Sequence, residues 1–386
     1  MKPKIAILSV GGIGSGYFSQ GVPVLMELVE HLKKDYELSV YSLTAPNPDF
    51  KPQGFRLRAV PFGYKASLWI RVSWFIILFI KDLLFHKPKL IHAFWGYPCG
   101  ILAVILKKIF RIPVVIHLQG GDSVGIADIG YGIFQKNDKK AKMAKWAYHQ
   151  ANHLICLTHF QKHTLNQNGI KKEPVVIPYG VDHKVFIPLQ TEKNILEPLR
   201  LIHVADLNPV KNQKMLLLAF QEILKYAPYT TLKVIGLDTL EGKIHALAKD
   251  LGIDKHIEFL GILPRTEIIQ HLQQAHILLH TSLYEAQAVV IAEAMACETV
   301  VCGSSVGLIA DLSPDCVESV PLNDFQALAQ KVIHLLQNPN RYKTLQKKAF
   351  EWTQQHNFTW TVGQIKSIYT TLTSKKLSES KGKEND

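Results

Sequence analysis

The chain has 386 residues, 47% hydrophobic and 20% charged, with a formal net charge of +12. That length exceeds what one hydrophobic core usually organises, so a single small domain is excluded and two domains are expected. The positive excess favours anionic partners, whether nucleic acid, anionic lipid or phosphorylated small molecules, without choosing among them.

Met1-Lys2-Pro3-Lys4 leads straight into an apolar run at 5–10. The run is too short for a signal peptide and no small-residue cleavage site follows it, so a cytoplasmic protein is expected. Gly11-Gly12-Ile13-Gly14-Ser15-Gly16 comes next. Read alone it suggests a dinucleotide loop, but Tyr17 and Ser19 stand where the third glycine of that fingerprint belongs. Helical patterns at 22–34, 100–110 and 139–150 alternate with strand-like runs at 38–42, 90–93, 114–117 and 154–157. The segment 68–85 is very apolar, yet Arg71 and Lys81 interrupt it far short of a membrane span of about 20 residues. It reads as a helix buried against a sheet, with a helix dipping into a membrane surface as the sharper alternative.

The alternation pauses at 177–198, where Pro and Gly cluster. A second series of strands then runs through 201–204, 232–235, 257–260, 277–281 and 299–302, with helices at 211–226 and 286–296 between them. Many strands are rich in Val and Ile without alternation, as in parallel sheets covered on both faces. The pattern predicts an α/β chain of two Rossmann-like domains facing a central cleft. The expected bounds are 1–188 plus a returning helix at about 355–374, then 195–352, then a polar disordered tail at 375–386. The five cysteines are odd in number and form no Cys-x-x-Cys pair, so free thiols are expected.

The most informative stretch is Thr281-Ser282-Leu283-Tyr284-Glu285 followed by 286–296. It follows a strand and opens a helix. The backbone amides of Ala286, Gln287, Ala288 and Val289 would lie unpaired at the helix start, a pocket suited to a pyrophosphate. Glu285 before that pocket and Glu293 beyond it could each accept hydrogen bonds from sugar hydroxyls. On spacing alone, two surface glutamates on an ordinary amphipathic helix are the favoured reading.

The context resembles the Glu-x7-Glu signature of glycosyltransferase family 4, with Ser282-Leu283-Tyr284-Glu285 and Glu293-Ala294-Met295-Ala296 both in register. The resemblance implies the GT-B fold, transfer of a hexosyl group from a nucleotide-diphosphate sugar with retention, and no metal or other cofactor. It implies that Glu285 contacts the donor sugar and Glu293 the nucleotide ribose. Lys211, in Asn208-Pro209-Val210-Lys211-Asn212, stands where the family's lysine reaches the diphosphate. Gly261 stands in the strand and loop that line the base pocket, and Gly14 and Gly16 in the loop near acceptor and donor phosphate. The likeness covers almost the whole chain.

Several positions depart from the family pattern. Ala286 and Ala288 replace glycines, Asp206 an arginine, Glu298 a glycine, and Gln119 the histidine before Gly120-Gly121-Asp122. His117, on the same strand face as Gln119, is the catalytic substitute, unless it is an ordinary core histidine. The basic residues Lys107, Lys108, Arg111 and Lys139 to Lys145 suit an anionic membrane surface or a lipid-linked acceptor. The function expected is sugar transfer onto a saccharide or lipid-linked acceptor in polysaccharide, lipopolysaccharide or glycolipid synthesis. The location expected is the cytoplasm or the inner membrane face. The alternative is a catalytically degenerate subunit that binds nucleotide or scaffolds an assembly. No nucleic-acid-binding motif accompanies the charge.

Overall fold

The computed structural model describes residues 2–19, 21–63, 65–191, 193–195 and 198–381. The chain divides into two compact units. The first holds the chain up to Leu157, Lys162–Ile177 and everything from Val362; the second holds Thr158–Gln161 and Pro178–Thr361.

The first unit is a seven-stranded, all-parallel sheet. Its strands are β1 (Lys4–Ser9), β2 (Glu37–Ser42), β3 (Arg56–Ala59), β4 (Leu90–Phe94), β5 (Val114–His117), β6 (His153–Cys156) and β7 (Val175–Val176), in the order β3-β2-β1-β4-β5-β6-β7. The helices are α1 (Pro23–Leu32), α2 (Leu68–His86), α3 (Ile101–Phe110), α4 (Lys139–Gln150) and α5 (His159–Gln167). β1 and β4 are almost wholly buried, which is why they read as unbroken apolar runs. Each fully buried Ile or Leu there contributes roughly 1.5–3 kcal/mol.

The second unit repeats the plan with six parallel strands in the order β10-β9-β8-β11-β12-β13. They are β8 (Arg200–Val204), β9 (Thr231–Ile235), β10 (Ile257–Gly261), β11 (Ile277–His280), β12 (Val300–Ser304) and β13 (Glu318–Val320). The helices are α6 (Gln213–Tyr226), α7 (Lys243–Asp250), α8 (Arg265–Gln274), α9 (Val289–Ala296), α10 (Gly307–Leu312), α11 (Phe325–Gln337) and α12 (Pro339–Gln355). A last helix, α13 (Phe358–Lys381), begins in the second unit and continues in the first. There Tyr369 is buried, and its hydroxyl lies 2.5 Å from His92 Nδ1.

Three expectations need correction. The division falls at Ile177/Pro178, at the head of the Pro-Gly stretch rather than at 188, because Val181 and Phe186 pack into the second unit's core with Ile202, Ile235 and Leu272. The tail expected to be disordered from 375 continues α13 as far as Lys381; residues 382–386 lie outside the described residues. Finally, α2 is not a buried helix. It buries only Arg71, Phe75, Phe79 and Asp82. All five cysteines are buried and none forms a disulfide.

Candidate active site

In parallel sheets of this order the succession of strands reverses between the first strand and its later neighbour, and ligands bind beyond the carboxyl ends of the strands at that point. In the second unit the point lies between β8 and β11, which pair through Leu201 with Ile277 and Ile202 with Leu278. Lys211 follows β8 and Glu285 follows β11. The sheet therefore brings together two residues far apart in the chain.

A single turn at Pro209–Lys211 sets the lysine, with the Asn208 side chain accepting from the Lys211 amide. Leu283 N donates to Val210 O at 2.7 Å, and Thr281 Oγ1 to Lys211 O at 3.0 Å, so the two loops are tied together. The Lys211 ammonium lies 2.5 Å from Glu285 Oε1. Ser282 Oγ donates to the same oxygen at 2.7 Å, and His280 Nε2 lies 3.0 Å from it. Burial pushes the Glu285 carboxyl up, but the Lys211 charge and the His280 hydrogen bond outweigh it and hold the group well below the usual carboxylate range. Behind it, the buried His203 ring stacks on His280 at 6.2 Å and meets Leu279 O through Nδ1 at 2.8 Å.

Three groups thus converge on Oε1, while none of the described residues is placed on Oε2. Beyond it, α9 starts without a side-chain cap. Its first amides have no helical carbonyl to bond and retain their donors. Ala288, its N-cap, holds φ at +64°, a region that favours glycine. Ala286 is buried and its carbonyl accepts from Thr158 Oγ1 at 2.6 Å. Gln287 braces the loop from inside the protein. Its buried side chain accepts from Tyr179 N and donates to Tyr179 O, at 2.8 and 2.7 Å. Val289 opens the helix proper. Glu293, two turns on, pairs with Arg265 at 3.5 Å. Arg265 in turn lies over the Phe186 ring, 4.9 Å from its centre. Gly261 ends β10 with φ +65° and open space around it. Asp206 turns to the backbone, its Oδ1 accepting from Leu237 N at 2.9 Å.

In the first unit the corresponding switch point lies between β1 and β4. A cavity of about 430 Å³ there is lined by Gly11, Gly12, Ser15, Gly16, Trp95 and Tyr97. A second, of about 500 Å³, shares Trp95 and Tyr97 and adds Gly121, Asp122, Lys136 and Lys140. Gly16 is exposed on the first cavity, but Gly14 is not part of it. Gly14 is buried, and a Cβ there would run into the Phe50 ring at 2.1 Å. Asp122 fixes the loop, its buried carboxylate accepting from Gly96 N at 3.0 Å and Gly120 N at 2.8 Å.

His117 is the main correction. It is fully buried in β5, its ring parallel to His92 at 5.4 Å and 5.3 Å from Phe94. Burial lowers its pKa far below the usual histidine value. The core reading describes it, and no surface is left on which a substrate could meet its ring. His280, Ser282 and Arg265 also stand against the two glutamates. Ser282 sits inside the signature run, but neither of the others carries a sequence signal until the fold places it.

Two parallel-sheet units of Rossmann type, with ion-paired glutamates and a lysine beyond the strand ends of the second, define a GT-B glycosyltransferase. Residues 22–185 match the model described as Glycosyltransferase Family 4, and residues 189–352 the model described as Glycosyl transferases group 1. The chain belongs to glycosyltransferase family 4. It is 25% identical over 285 residues to an uncharacterized glycosyltransferase of Methanocaldococcus jannaschii, covering 73% of this chain and 75% of the relative. In fold it is similar to sucrose-phosphate synthase from Thermosynechococcus elongatus, with TM-score 0.81, 20% identity, and coverage of 97% of this chain and 100% of the other. It is also similar to Anabaena HepE in complex with UDP and glucose, with TM-score 0.76, 18% identity, and coverage of 96% and 100%.

Proposed function

We propose that this glycosyltransferase moves a hexosyl group, with retention, from a nucleotide-diphosphate sugar to an acceptor hydroxyl, without a resident metal or other cofactor. The observation that carries the proposal is the meeting of Lys211 and Glu285 at the switch point of the second unit. When donor binds, the ammonium of Lys211 turns to the diphosphate, and the uncapped start of α9 offers amides from 286–289 to the same group. Glu285 stays ionised and accepts from a sugar hydroxyl through Oε2. Glu293, steadied by Arg265, accepts from the ribose, and Gly261 leaves room for the base. Bond breaking builds negative charge on the leaving phosphate, and fixed positive groups there lower the barrier most. The UDP complex of HepE supports a uridine nucleotide as the handle.

The two cavities of the first unit, with Trp95 and Tyr97 between them, suit a saccharide acceptor. The net charge of +12 supports an acceptor presented at an anionic membrane surface, as polysaccharide, lipopolysaccharide or glycolipid synthesis would require. A second reading, a degenerate subunit that binds nucleotide without transfer, is favoured by Ala288, whose methyl group stands where the donor phosphates need close backbone approach.

The test is thermal stabilisation against a panel of nucleotide diphosphates and nucleotide sugars, followed by transfer assays with the donor that shifts the midpoint. A shift lost in Glu293→Ala, together with turnover, supports the transferase. A shift without turnover on any acceptor supports the degenerate subunit, and no shift overturns both.

A further inference from the structure

α2 is built inside out. Two of its charged residues, Arg71 and Asp82, are 6% exposed and only Lys81 reaches the surface, while Trp69 is 82%, Leu84 77%, Phe85 72% and Ile77 60% exposed. At 100° per residue, the exposed Trp69, Ile70, Trp74, Ile76, Ile77, Ile80, Leu84 and Phe85 fall on one half of the helix. The orientation is locked from the other half. Asp82 is held by Arg58 at 2.9 and 3.1 Å and by the Tyr41 hydroxyl at 2.9 Å, and Phe75 and Phe79 pack on the Tyr41 ring. The helix cannot roll its apolar half inward without expelling those two rings and breaking that ion pair.

An apolar face of this size on a single helix marks an interaction surface. Its charge selects the occupant. Asp82 is the helix's only acid and is buried, whereas Lys65, Lys81, Lys87 and Lys89 are exposed at or beside the face. Ile105 and Ile109 are exposed on α3, whose Phe110 meets Phe79 at 6.4 Å; Lys108 and Arg111 are exposed beside them. A second copy would set like charges against each other; an anionic bilayer complements them. Two tryptophans and flanking lysines around an aliphatic centre suit the boundary between headgroups and acyl chains. Among the described residues no helix is long and apolar enough to cross a membrane.

We propose that α2 lies in the plane of an anionic lipid bilayer, with the half carrying Trp69, Ile77, Ile80 and Leu84 inserted below the headgroups. The proposal sharpens the membrane-surface part of the proposed function and does not depend on the transfer chemistry. It also moves the contact away from the basic helix α4, where Lys140 and Lys145 lie over the rings of Tyr97 and Phe134 in the same unit.

The test uses the full chain with sedimenting vesicles of phosphatidylcholine, with and without phosphatidylglycerol. The chain should bind the anionic vesicles, and the triple variant Trp69→Ser, Ile77→Ser, Leu84→Ser should partition at least about tenfold more weakly with its thermal midpoint retained. Should that variant fold poorly, tryptophan fluorescence of the unmodified protein decides: bilayers brominated on the acyl chains should quench it. Equal binding by a folded triple variant, or no quenching, overturns the proposal. So does a dimer that the triple variant turns into monomer, which would assign the face to a second copy. Stabilisation by nucleotide reads only the second unit, so either reading can fail without the other.

Discussion

Lys211 Nζ sits 2.5 Å from Glu285 Oε1, although 74 residues separate them in the chain. The pair is mostly buried, with side-chain exposures of 21% and 12%. Removing one partner leaves the other charge poorly compensated. Lys211→Met should therefore cost about 2–3 kcal/mol of stability and weaken nucleotide-diphosphate binding about tenfold or more. Glu285→Gln keeps the shape and should leave nucleotide binding within about twofold while lowering transfer by about 10²–10³. Titration calorimetry beside a transfer assay separates the two effects. Full transfer by Glu285→Gln would remove Glu285 from the mechanism.

Ala288 gives a prediction of opposite sign. A left-handed backbone costs an L residue roughly 1–2 kcal/mol, and glycine adopts it freely at an entropic cost of about half that. Ala288→Gly should leave the midpoint unchanged or raise it, by an amount equivalent to at most about 1 kcal/mol. It should also tighten donor binding, because the methyl group no longer limits approach to the helix start. Loss of both stability and affinity would show that the alanine is a fitted part of this site.

Acid should unfold the chain early. Burial pushes His92 and His203 down to about 3, and His117 well below the usual 6.5. Below pH 6.5 the unfolded chain takes up protons that the folded chain refuses, so stability falls as pH falls. Each buried histidine contributes about 1.4 kcal/mol per pH unit to that slope. Glu285 acts in the same direction. Its folded pKa is depressed, so its contribution is complete above about 4.5 and is lost as pH drops below that value. The thermal midpoint should decline steeply between about pH 6 and pH 4, and His92→Phe should flatten the decline by about one histidine's share. A flat profile over that range would contradict the burial of these rings as neutral groups.

Trp95 is the shared wall of the two cavities in the first unit, and its φ of +64° is strained for a bulky residue. Strain of that kind persists where the surroundings hold a side chain in place. Trp95→Ala should raise the acceptor KM about tenfold through loss of an aromatic contact, while stabilisation by the donor nucleotide stays unchanged. An unchanged KM would place the acceptor elsewhere.

The residues show why some of this was readable and some was not. β1, β5 and β8 are buried on both faces, so their runs of Val, Ile and Leu mark them within a residue or so. The edge strands β3, β7 and β13 escaped. β3 reads Arg-Leu-Arg-Ala, and its arginines answer to partners on β2 and α2 that only the fold supplies. Glu285, Glu293 and Lys211 were legible because they fall within a dense motif. His280 and Arg265 were not, because their importance lies in what they touch across the sheet. His117 misled for a related reason: strand position shows which face a side chain takes, not whether that face is filled by His92 and Phe94.

Gly307 tests how tightly the signature loop is held. It opens α10 with φ +53°, and a Cβ there would come 2.8 Å from Glu285 Cβ and 2.9 Å from Gln287 O. The backbone oxygen cannot easily retreat, because it also accepts from Leu308 N at 3.1 Å. Gly307→Ala therefore combines dihedral strain with a clash against the loop that carries Glu285. Gly252 supplies the control: its φ is +68°, and nothing lies within 4 Å of an added Cβ. Gly252→Ala should cost about 1 kcal/mol from strain alone. Gly307→Ala should cost about 2–4 kcal/mol and displace Glu285, weakening stabilisation by nucleotide as well. Denaturant unfolding of both variants measures the difference. Equal costs would mean that the loop has room to move, and that Glu285 is positioned by its three polar partners rather than by the glycine beneath it.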